Sequence, residues 1–138
     1  MAKKRTILDL QQMKERGEQA AWMVIYDSCL ASYAEEAGMD MILVGDSMGM
    51  IIYGYDGTVP VTMDMSIAHC QGVRRGAPNT YVIGDMPFGA YHASAEDAVS
   101  AISSSERMAP KILSSRYLLG VRASNRGSST VLGSSSDT

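Results

Sequence analysis

The chain has 138 residues, of which 46% are hydrophobic and 20% charged, and its net charge is −3. This length and composition are typical of a single globular domain with a sizeable core. The acidic balance argues against nucleic acid as a partner, because nucleic-acid-binding proteins usually carry a clustered basic face. No apolar run approaches the roughly 18 residues that a membrane span needs, so we also expect no membrane partner.

Helix caps and short apolar runs alternate along the chain. The predicted elements are a helix over residues 6–16, a strand over 21–26, a helix from Asp27 or Ser28 to residue 37, a strand over 41–44, a Gly-rich loop over 45–57, a helix from Thr62 or Asp64 to about residue 75, a strand from Tyr81 to residue 83 or 85, and a helix from Ser94 through at least residue 102. Such alternation predicts an α/β fold with parallel strands and right-handed crossovers. The strands are apolar without alternation, which predicts cover on both faces.

The composition changes near residue 103. Eleven of the 36 residues from 103 to 138 are serine, and the region where another strand is expected holds only two consecutive aliphatic residues. We therefore divide the chain into residues 1–102 and a Ser-rich tail, 103–138. We predict that the tail is flexible or results from a shifted reading frame or an artificial junction, and a polar folded subdomain is the alternative.

The two cysteines, Cys29 and Cys70, are not in a CxxC arrangement. This predicts reduced, buried thiols in a cytoplasmic protein rather than a zinc site or a disulfide framework. The basic residues 1–5 are followed by no apolar h-region, so they do not resemble a secretory signal. A cytoplasmic location is therefore expected.

Asp46 and Asp85 each follow the end of a predicted strand. The carboxyl ends of parallel strands meet at one face of a sheet or barrel, where active sites form. Two adjacent carboxylates would raise each other's pKa unless a cation neutralised them. Oxygen ligands suit Mg²⁺ better than zinc, so we expect Asp46 and Asp85 to bind Mg²⁺. The alternative is that each aspartate only caps a helix or stabilises a turn.

Three further polar residues lie in or near these segments. Ser47 stands in a Gly-flanked turn and could offer its hydroxyl or backbone N–H to a substrate carboxylate. His69 is predicted to lie in the middle of a helix, at the surface or half-buried. His92 is predicted to lie in a loop close after Asp85, with a role as lid or rim of the site as the less favoured alternative. The turn lacks the Lys-Ser/Thr pair of a P-loop, which excludes that type of phosphate site.

Four segments resemble the ketopantoate hydroxymethyltransferase family in order and spacing. They are VGDSMG at 44–49, GYDGTVPVT at 54–62, VRRGAP at 73–78 and DMPFGAY at 85–91. The resemblance spans about residues 6–102. It implies the (βα)8 TIM-barrel family of the phosphoenolpyruvate/pyruvate superfamily, with only about the first three βα units in this sequence. It also implies a large homo-oligomer.

The resemblance further implies a reaction. Members of the family use Mg²⁺, with 5,10-methylenetetrahydrofolate as co-substrate, to transfer a hydroxymethyl group to 3-methyl-2-oxobutanoate. The product, 2-dehydropantoate, leads to pantothenate. By this resemblance Asp46 and Asp85 ligate the metal, and Asp46, Ser47 and Asp85 form the substrate-binding residues.

The chain departs from the family after residue 102. The family's Lys-x-Glu-Gly-Gly segment is missing, since Lys111 is followed two residues later by Leu113 instead of glutamate. The family's general-base glutamate lies beyond this sequence, so no catalytic residue is assigned. We expect a truncated chain with weak activity or none alone. The alternatives are another 2-oxo acid lyase or mutase of the superfamily, or a non-catalytic fragment that binds metal or a partner.

Overall fold

The computed structural model describes residues 4–92 and four further positions, Ser94, Glu96, Val99 and Ser103. Its helices and strands, in chain order, are α1 (Ile7–Glu15), β1 (Trp22–Val24), α2 (Ser28–Glu36), β2 (Met41–Val44), α3 (Met48–Ile51), α4 (Met63–Gly76) and β3 (Tyr81–Gly84). The helix predicted from Ser94 to residue 102 and the tail of residues 103–138 lie outside the described residues, apart from those four positions.

Three helices begin where the sequence predicts a cap. The Thr6 hydroxyl accepts a hydrogen bond from the backbone N–H of Asp9, whose carboxylate accepts one from Thr6 in return. Asp27 and Thr62 cap α2 and α4 by accepting the N–H three residues further on, at 2.8 and 3.3 Å. These bonds satisfy donors that a helix leaves unpaired at its start, which fixes where each helix begins.

The three strands form one parallel sheet in the order β1-β2-β3. Trp22 pairs with Met41, and Val44 pairs with Gly84 at the other end of the ladder. The predicted parallel α/β arrangement is confirmed. The register brings the carboxyl ends of β2 and β3 to the same level, so the residues that follow them share one edge of the sheet.

The core lies between this sheet and the paired helices α2 and α4. It is formed by apolar side chains from the strands, from both helices and from the segments beside them. Its buried members are Ile25, Tyr26, Ala31, Ala34, Ile42, Val44, Met48, Val61, Cys70, Val73, Ala77 and Val82. At one point the two helices approach so closely that a Cβ on Gly76 would overlap the backbone of Ser28. A glycine there permits the close packing of α2 against α4.

The opposite, amino end of the sheet is joined by a polar cluster. The Glu35 carboxylate accepts four hydrogen bonds from Asn79 and Thr80, at 2.9 to 3.0 Å. Beside it, Arg5 donates its backbone N–H to the Asn79 carbonyl and forms an ion pair with Asp40. These bonds connect α2, the start of β3 and the start of β2 at the end of the sheet away from Asp46 and Asp85.

The prediction that both faces of the strands are covered is wrong for β1. Trp22, Met23 and Val24 are 55%, 48% and 40% exposed. The strand lies at the edge of the described sheet, and α2 and α4 do not reach over it. In β2 and β3, buried and half-buried residues alternate, so one face of the sheet is fully covered and the other only in part.

Two smaller predictions also differ from the structure. Residues 45–57, predicted to be a loop, contain the one-turn helix α3. Cys70 is buried as expected, but Cys29 is exposed, since it lies on the outer side of α2. No helix in the described part of the chain combines the length and the hydropathy needed to cross a lipid bilayer.

Candidate active site

Asp46 and Asp85 come together at the carboxyl edge of the sheet. The backbone N–H of Asp46 donates to Oδ2 of Asp85 across 3.4 Å. The backbone N–H of Asp85 in turn donates to the Val44 carbonyl at 2.9 Å, which extends the ladder between β2 and β3 by one residue. The Asp85 carboxylate is thereby turned from the end of β3 towards the start of the turn after β2. Both aspartates are half-buried.

Ser47 lies in the same turn, next to this pair. Its Oγ is 2.7 Å from the phenolic oxygen of Tyr26, which follows β1. A Cβ on Gly45 would stand 2.8 Å from Ser47 Oγ and 3.5 Å from Asp85 Oδ2. The absence of a side chain at Gly45 therefore leaves a space that both the serine hydroxyl and the Asp85 carboxylate adjoin.

A histidine supports this group from α4. Nδ1 of His69 is 2.6 Å from the backbone carbonyl oxygen of Tyr26, and Nε2 is 3.0 Å from the Tyr53 hydroxyl. The rings of Tyr26 and Tyr53 both meet the imidazole edge-on, with centroids 6.5 and 5.7 Å away. His69 is half-buried in the middle of α4, which agrees with the sequence expectation for its burial.

Cys70, next to His69 on α4, is close enough to the site for the charge of Asp85 to affect its pKa. Burial raises the pKa of the Cys70 thiol to about 12, the Arg74 guanidinium opposes this rise, and the Asp85 charge adds to it. The thiol is 2% exposed and stays protonated at neutral pH. It serves as a core side chain under the site and not as a nucleophile or thiolate ligand.

His92 contacts residues of its own loop. Its Nδ1 accepts a hydrogen bond from the Gly89 backbone at 3.1 Å, and its ring stacks on Tyr91 with centroids 4.2 Å apart. Within the part of the chain that the structure describes, no three His, Cys, Asp or Glu side chains converge on a common point. The cation ligands predicted here are therefore a pair of aspartates.

The donor chemistry of this pair fits a hard divalent cation. Both side chains are carboxylates, they follow adjacent parallel strands, and they are partly shielded from solvent. Mg²⁺ is commonly held by one or two protein carboxylates, with water or substrate oxygens completing its coordination. The two aspartates can supply that share of the ligands.

The sequence pattern does not identify Tyr26 as a site residue, and it assigns His69 no role at the site. Tyr26 ends the predicted apolar strand of residues 21–26, but it stands two residues after β1, as Asp46 stands two residues after β2. The same rule of position, applied to every strand and not only to the aspartates, would have found it. Nothing in the sequence pattern distinguishes His69 from an ordinary helix histidine, because its partners are 16 and 43 residues away.

The fold places the chain among incomplete α/β barrels. It is similar to the crystal structure of 2,3-dimethylmalate lyase, a PEP mutase/isocitrate lyase superfamily member, with a TM-score of 0.57 and 18% identity. The similarity covers 76% of this chain and 38% of that one. A second crystal form of the lyase matches with a TM-score of 0.56, also at 18% identity. The predicted α/β-barrel class is confirmed.

Within that class the family is also defined. The model of the ketopantoate hydroxymethyltransferase family matches residues 4–110, and the chain belongs to this family. A 3-methyl-2-oxobutanoate hydroxymethyltransferase of Alkaliphilus metalliredigens (strain QYMF) is 67% identical over 72% of this chain and 35% of its own length. One of Geobacillus kaustophilus (strain HTA426) is 55% identical over 66% of this chain and 33% of its own length. The chain thus spans about a third of the length of these relatives.

Proposed function

We propose that the chain carries the metal-binding and keto-acid-binding edge of a 3-methyl-2-oxobutanoate hydroxymethyltransferase. The reaction moves a hydroxymethyl group from 5,10-methylenetetrahydrofolate to 3-methyl-2-oxobutanoate and gives 2-dehydropantoate. The proposal includes a role in pantothenate biosynthesis, a cytoplasmic location and assembly into a homo-oligomer, all of which rest on family membership. We expect little or no turnover by the chain alone.

One observation carries the proposal. The Asp85 carboxylate is turned to the Asp46 backbone at the carboxyl edge of a parallel sheet, in a chain of this family. An aspartate that only capped a helix would receive the N–H of its own following turn, as Asp27 and Thr62 do for α2 and α4. Asp85 receives an N–H from a residue 39 positions earlier, at the end of the neighbouring strand. That arrangement supports a shared site over two separate caps.

Each residue of the edge has a chemical role in this proposal. Asp46 and Asp85 would hold Mg²⁺ through their carboxylate oxygens. When bound, the cation supplies positive charge that stabilises negative charge on the oxygens of a 2-oxo acid. The Ser47 hydroxyl would donate a hydrogen bond to the substrate carboxylate. No described residue is assigned as the base that removes the C3 proton.

A second candidate is a fragment that binds metal or a partner without chemistry. The exposed side chains of β1 favour it, because an edge strand with three half-exposed apolar residues is prone to pair with another chain. The two candidates differ in what they predict for a keto acid. The first requires Mg²⁺-dependent binding of 3-methyl-2-oxobutanoate, whereas the second requires none.

The test is a titration of the full chain with 3-methyl-2-oxobutanoate, with and without Mg²⁺, followed by ligand-observed NMR in D₂O. We expect saturable binding only with Mg²⁺, and loss of that binding in Asp46→Asn. The exposed loop residue Asp56 provides a matched control, since Asp56→Asn removes the same charge outside the site. The same spectra report exchange of the C3 proton for deuterium, which we expect to be slow or absent without a base.

Two results would contradict the proposal. The first is keto-acid binding that is equally strong without Mg²⁺, which would show that the metal takes no part in binding the acid. The second is Mg²⁺-dependent binding that Asp46→Asn leaves unchanged, which would place the ligand elsewhere. If the chain binds Mg²⁺ but no keto acid under any condition, the fragment candidate is correct.

A further inference from the structure

Behind Ser47, hydrogen bonds connect Tyr26, Tyr53 and His69. These three residues lie outside the four segments that carry the family resemblance. The Tyr53 hydroxyl contacts His69 Nε2 at 3.0 Å, His69 Nδ1 contacts the Tyr26 carbonyl at 2.6 Å, and the Tyr26 hydroxyl contacts Ser47 Oγ at 2.7 Å. Tyr26 is only 8% exposed. The set thus connects α4 and the segment after α3 to the serine at the site.

The chemistry of the partners fixes the direction of the bonds at His69. A carbonyl oxygen can only accept a hydrogen bond, so Nδ1 of His69 must carry the proton that it donates to Tyr26. A neutral imidazole has a single N–H, which leaves Nε2 as an acceptor. The Tyr53 hydroxyl therefore donates to Nε2. His69 is held in the Nδ1–H tautomer by a partner on each side.

Either oxygen could be the donor in the hydrogen bond between Tyr26 and Ser47. His69 contacts the backbone carbonyl of Tyr26 and not its phenol, so the phenolic proton remains available for Ser47. A serine hydroxyl has one proton and can also accept. If Tyr26 donates to Ser47 Oγ, the serine keeps its own proton for a ligand. A carboxylate is a pure acceptor and matches that free proton.

We infer that Tyr26 and His69 are positioning residues, which orient the Ser47 hydroxyl so that its proton points to the carboxylate of a bound 2-oxo acid. His69 fixes the backbone of Tyr26, and Tyr26 donates to Ser47 Oγ. The ligand in this inference rests on the proposed function. The directions of the hydrogen bonds at His69 rest on the geometry alone.

The first test measures the tautomers of the two histidines of the chain by ¹⁵N NMR. At about pH 8.5, where an unperturbed imidazole is neutral, we expect His69 to be protonated at Nδ1. His92 is the internal comparison, because its Nδ1 accepts from the Gly89 N–H and its proton must be on Nε2. A His92→Gln variant assigns the two sets of signals. A proton on Nε2 of His69 would overturn the inference.

The second test removes the phenolic hydroxyl in Tyr26→Phe and measures the affinity for 3-methyl-2-oxobutanoate in the presence of Mg²⁺. Loss of one positioned hydrogen bond predicts binding about three- to tenfold weaker. Mg²⁺ affinity should not change, because Tyr26 is not a metal ligand. Tyr33→Phe is the control, since Tyr33 lies on the exposed side of α2 with 62% of its surface accessible. In Ser47→Ala, adding Tyr26→Phe should cause no further loss.

The outcomes separate this inference from the proposed function. If the unaltered chain binds no keto acid, the proposed function and the ligand assigned to Ser47 both fail. If the unaltered chain binds it and Tyr26→Phe binds it equally well, the positioning role fails and the proposed function stands. The histidine measurement requires no substitution at Tyr26, so the inference can still be refuted if Tyr26→Phe does not fold.

Discussion

The backbone N–H of Asp46 points at the carboxylate of Asp85, and 3.4 Å separates the nitrogen from Oδ2. This contact joins the ends of two neighbouring parallel strands whose last residues, Val44 and Gly84, are paired in register. The register alone would bring the two backbones to one edge. The hydrogen bond shows in addition that the Asp85 side chain reaches across the gap between β3 and β2.

Removal of either carboxylate should weaken Mg²⁺ binding. In Asp46→Asn or Asp85→Asn a neutral amide replaces a charged ligand, and a charged contact of this kind contributes about 1.5–3 kcal/mol. The expected result is Mg²⁺ affinity about ten- to a hundredfold lower in each variant, measured by isothermal titration calorimetry. Asp56→Asn should bind as the unaltered chain does. Unchanged affinity in both site variants would exclude Asp46 and Asp85 as ligands.

A methyl group at Gly45 should disturb the serine. The new Cβ would stand 2.8 Å from Ser47 Oγ, closer than such atoms pack, and the hydroxyl would have to leave Tyr26. Gly45→Ala should therefore lower the free energy of unfolding by about 0.5–1.5 kcal/mol, the contribution of one hydrogen bond. Gly57→Ala is the matched control, because no atom lies within 4 Å of its added Cβ. Equal urea midpoints for the two variants would contradict the expected displacement.

The contact between α2 and α4 predicts opposite effects for two glycines of the same helix. At Gly76 an added Cβ would lie 2.9 Å from the Cα of Ser28 and would overlap its carbonyl group, which only a backbone shift can relieve. Gly76→Ala should therefore lower the free energy of unfolding by about 1–3 kcal/mol or more. A Cβ added at Gly72 would meet no atom within 4 Å outside its own helix. Gly72→Ala should therefore raise the free energy of unfolding by up to about 1 kcal/mol, because alanine has the higher helix propensity. Chemical denaturation of both variants measures the difference.

The Glu35 cluster predicts a stability that depends on acid pH. Burial acts to raise the pKa of Glu35, but the hydrogen bonds from Asn79 and Thr80 outweigh it and hold the pKa below its ordinary 4.5. The folded chain therefore binds fewer protons at this carboxyl than the unfolded chain does. The stabilisation is complete above pH 4.5 and is lost as the pH falls through the lowered pKa.

Glu35→Gln should remove the dependence of stability on acid pH. It should also lower the free energy of unfolding by about 1–3 kcal/mol at neutral pH, because the amide cannot accept all four hydrogen bonds. Urea denaturation between pH 3 and pH 7 compares the variant with the unaltered chain. Glu36→Gln, at the exposed neighbouring position, is the control and should change little. If the curves of unfolding free energy against pH for Glu35→Gln and the unaltered chain run parallel, the four hydrogen bonds do not set the dependence.

The two cysteines should differ in reactivity. Cys29 is exposed, whereas Cys70 is 2% exposed and has a pKa raised to about 12. Since the thiolate is the reactive form, iodoacetamide at about pH 8 should label Cys29 in the folded chain and leave Cys70 intact. Peptide mass spectrometry identifies the labelled residue. Both cysteines should react in guanidinium chloride, and rapid labelling of Cys70 without denaturant would contradict its burial.

Local chemistry made much of this fold predictable. The expected caps were Thr6, either Asp27 or Ser28, and either Thr62 or Asp64. Thr6, Asp27 and Thr62 cap the three helices, and such caps are predictable because a side-chain oxygen that accepts the N–H three residues later is a local relationship. The placement of Asp46 and Asp85 at one edge was also predictable, since it follows from parallel strands alone. Their roles as ligands stay predictions.

What escaped the sequence depends on distant partners. The exposure of Trp22, Met23 and Val24 depends on which helices cover the sheet. An apolar run in the sequence does not indicate which helices those are. The one-turn helix α3 forms in a glycine-containing segment, where Met48 is anchored in the core. His69 acquires its importance from Tyr26 and Tyr53, which only the folded chain brings to it. Long-range contacts of this kind override local propensity.

The polar cluster of Glu35, Asn79 and Thr80 has a consequence for how such a chain can change. It secures the strands at the end remote from Asp46, Ser47 and Asp85. Substitutions that alter ligand preference therefore need not touch the bonds that hold the framework together. The framework and the ligand-facing groups are thus spatially separate parts of one small sheet, and each can vary without direct contact with the other.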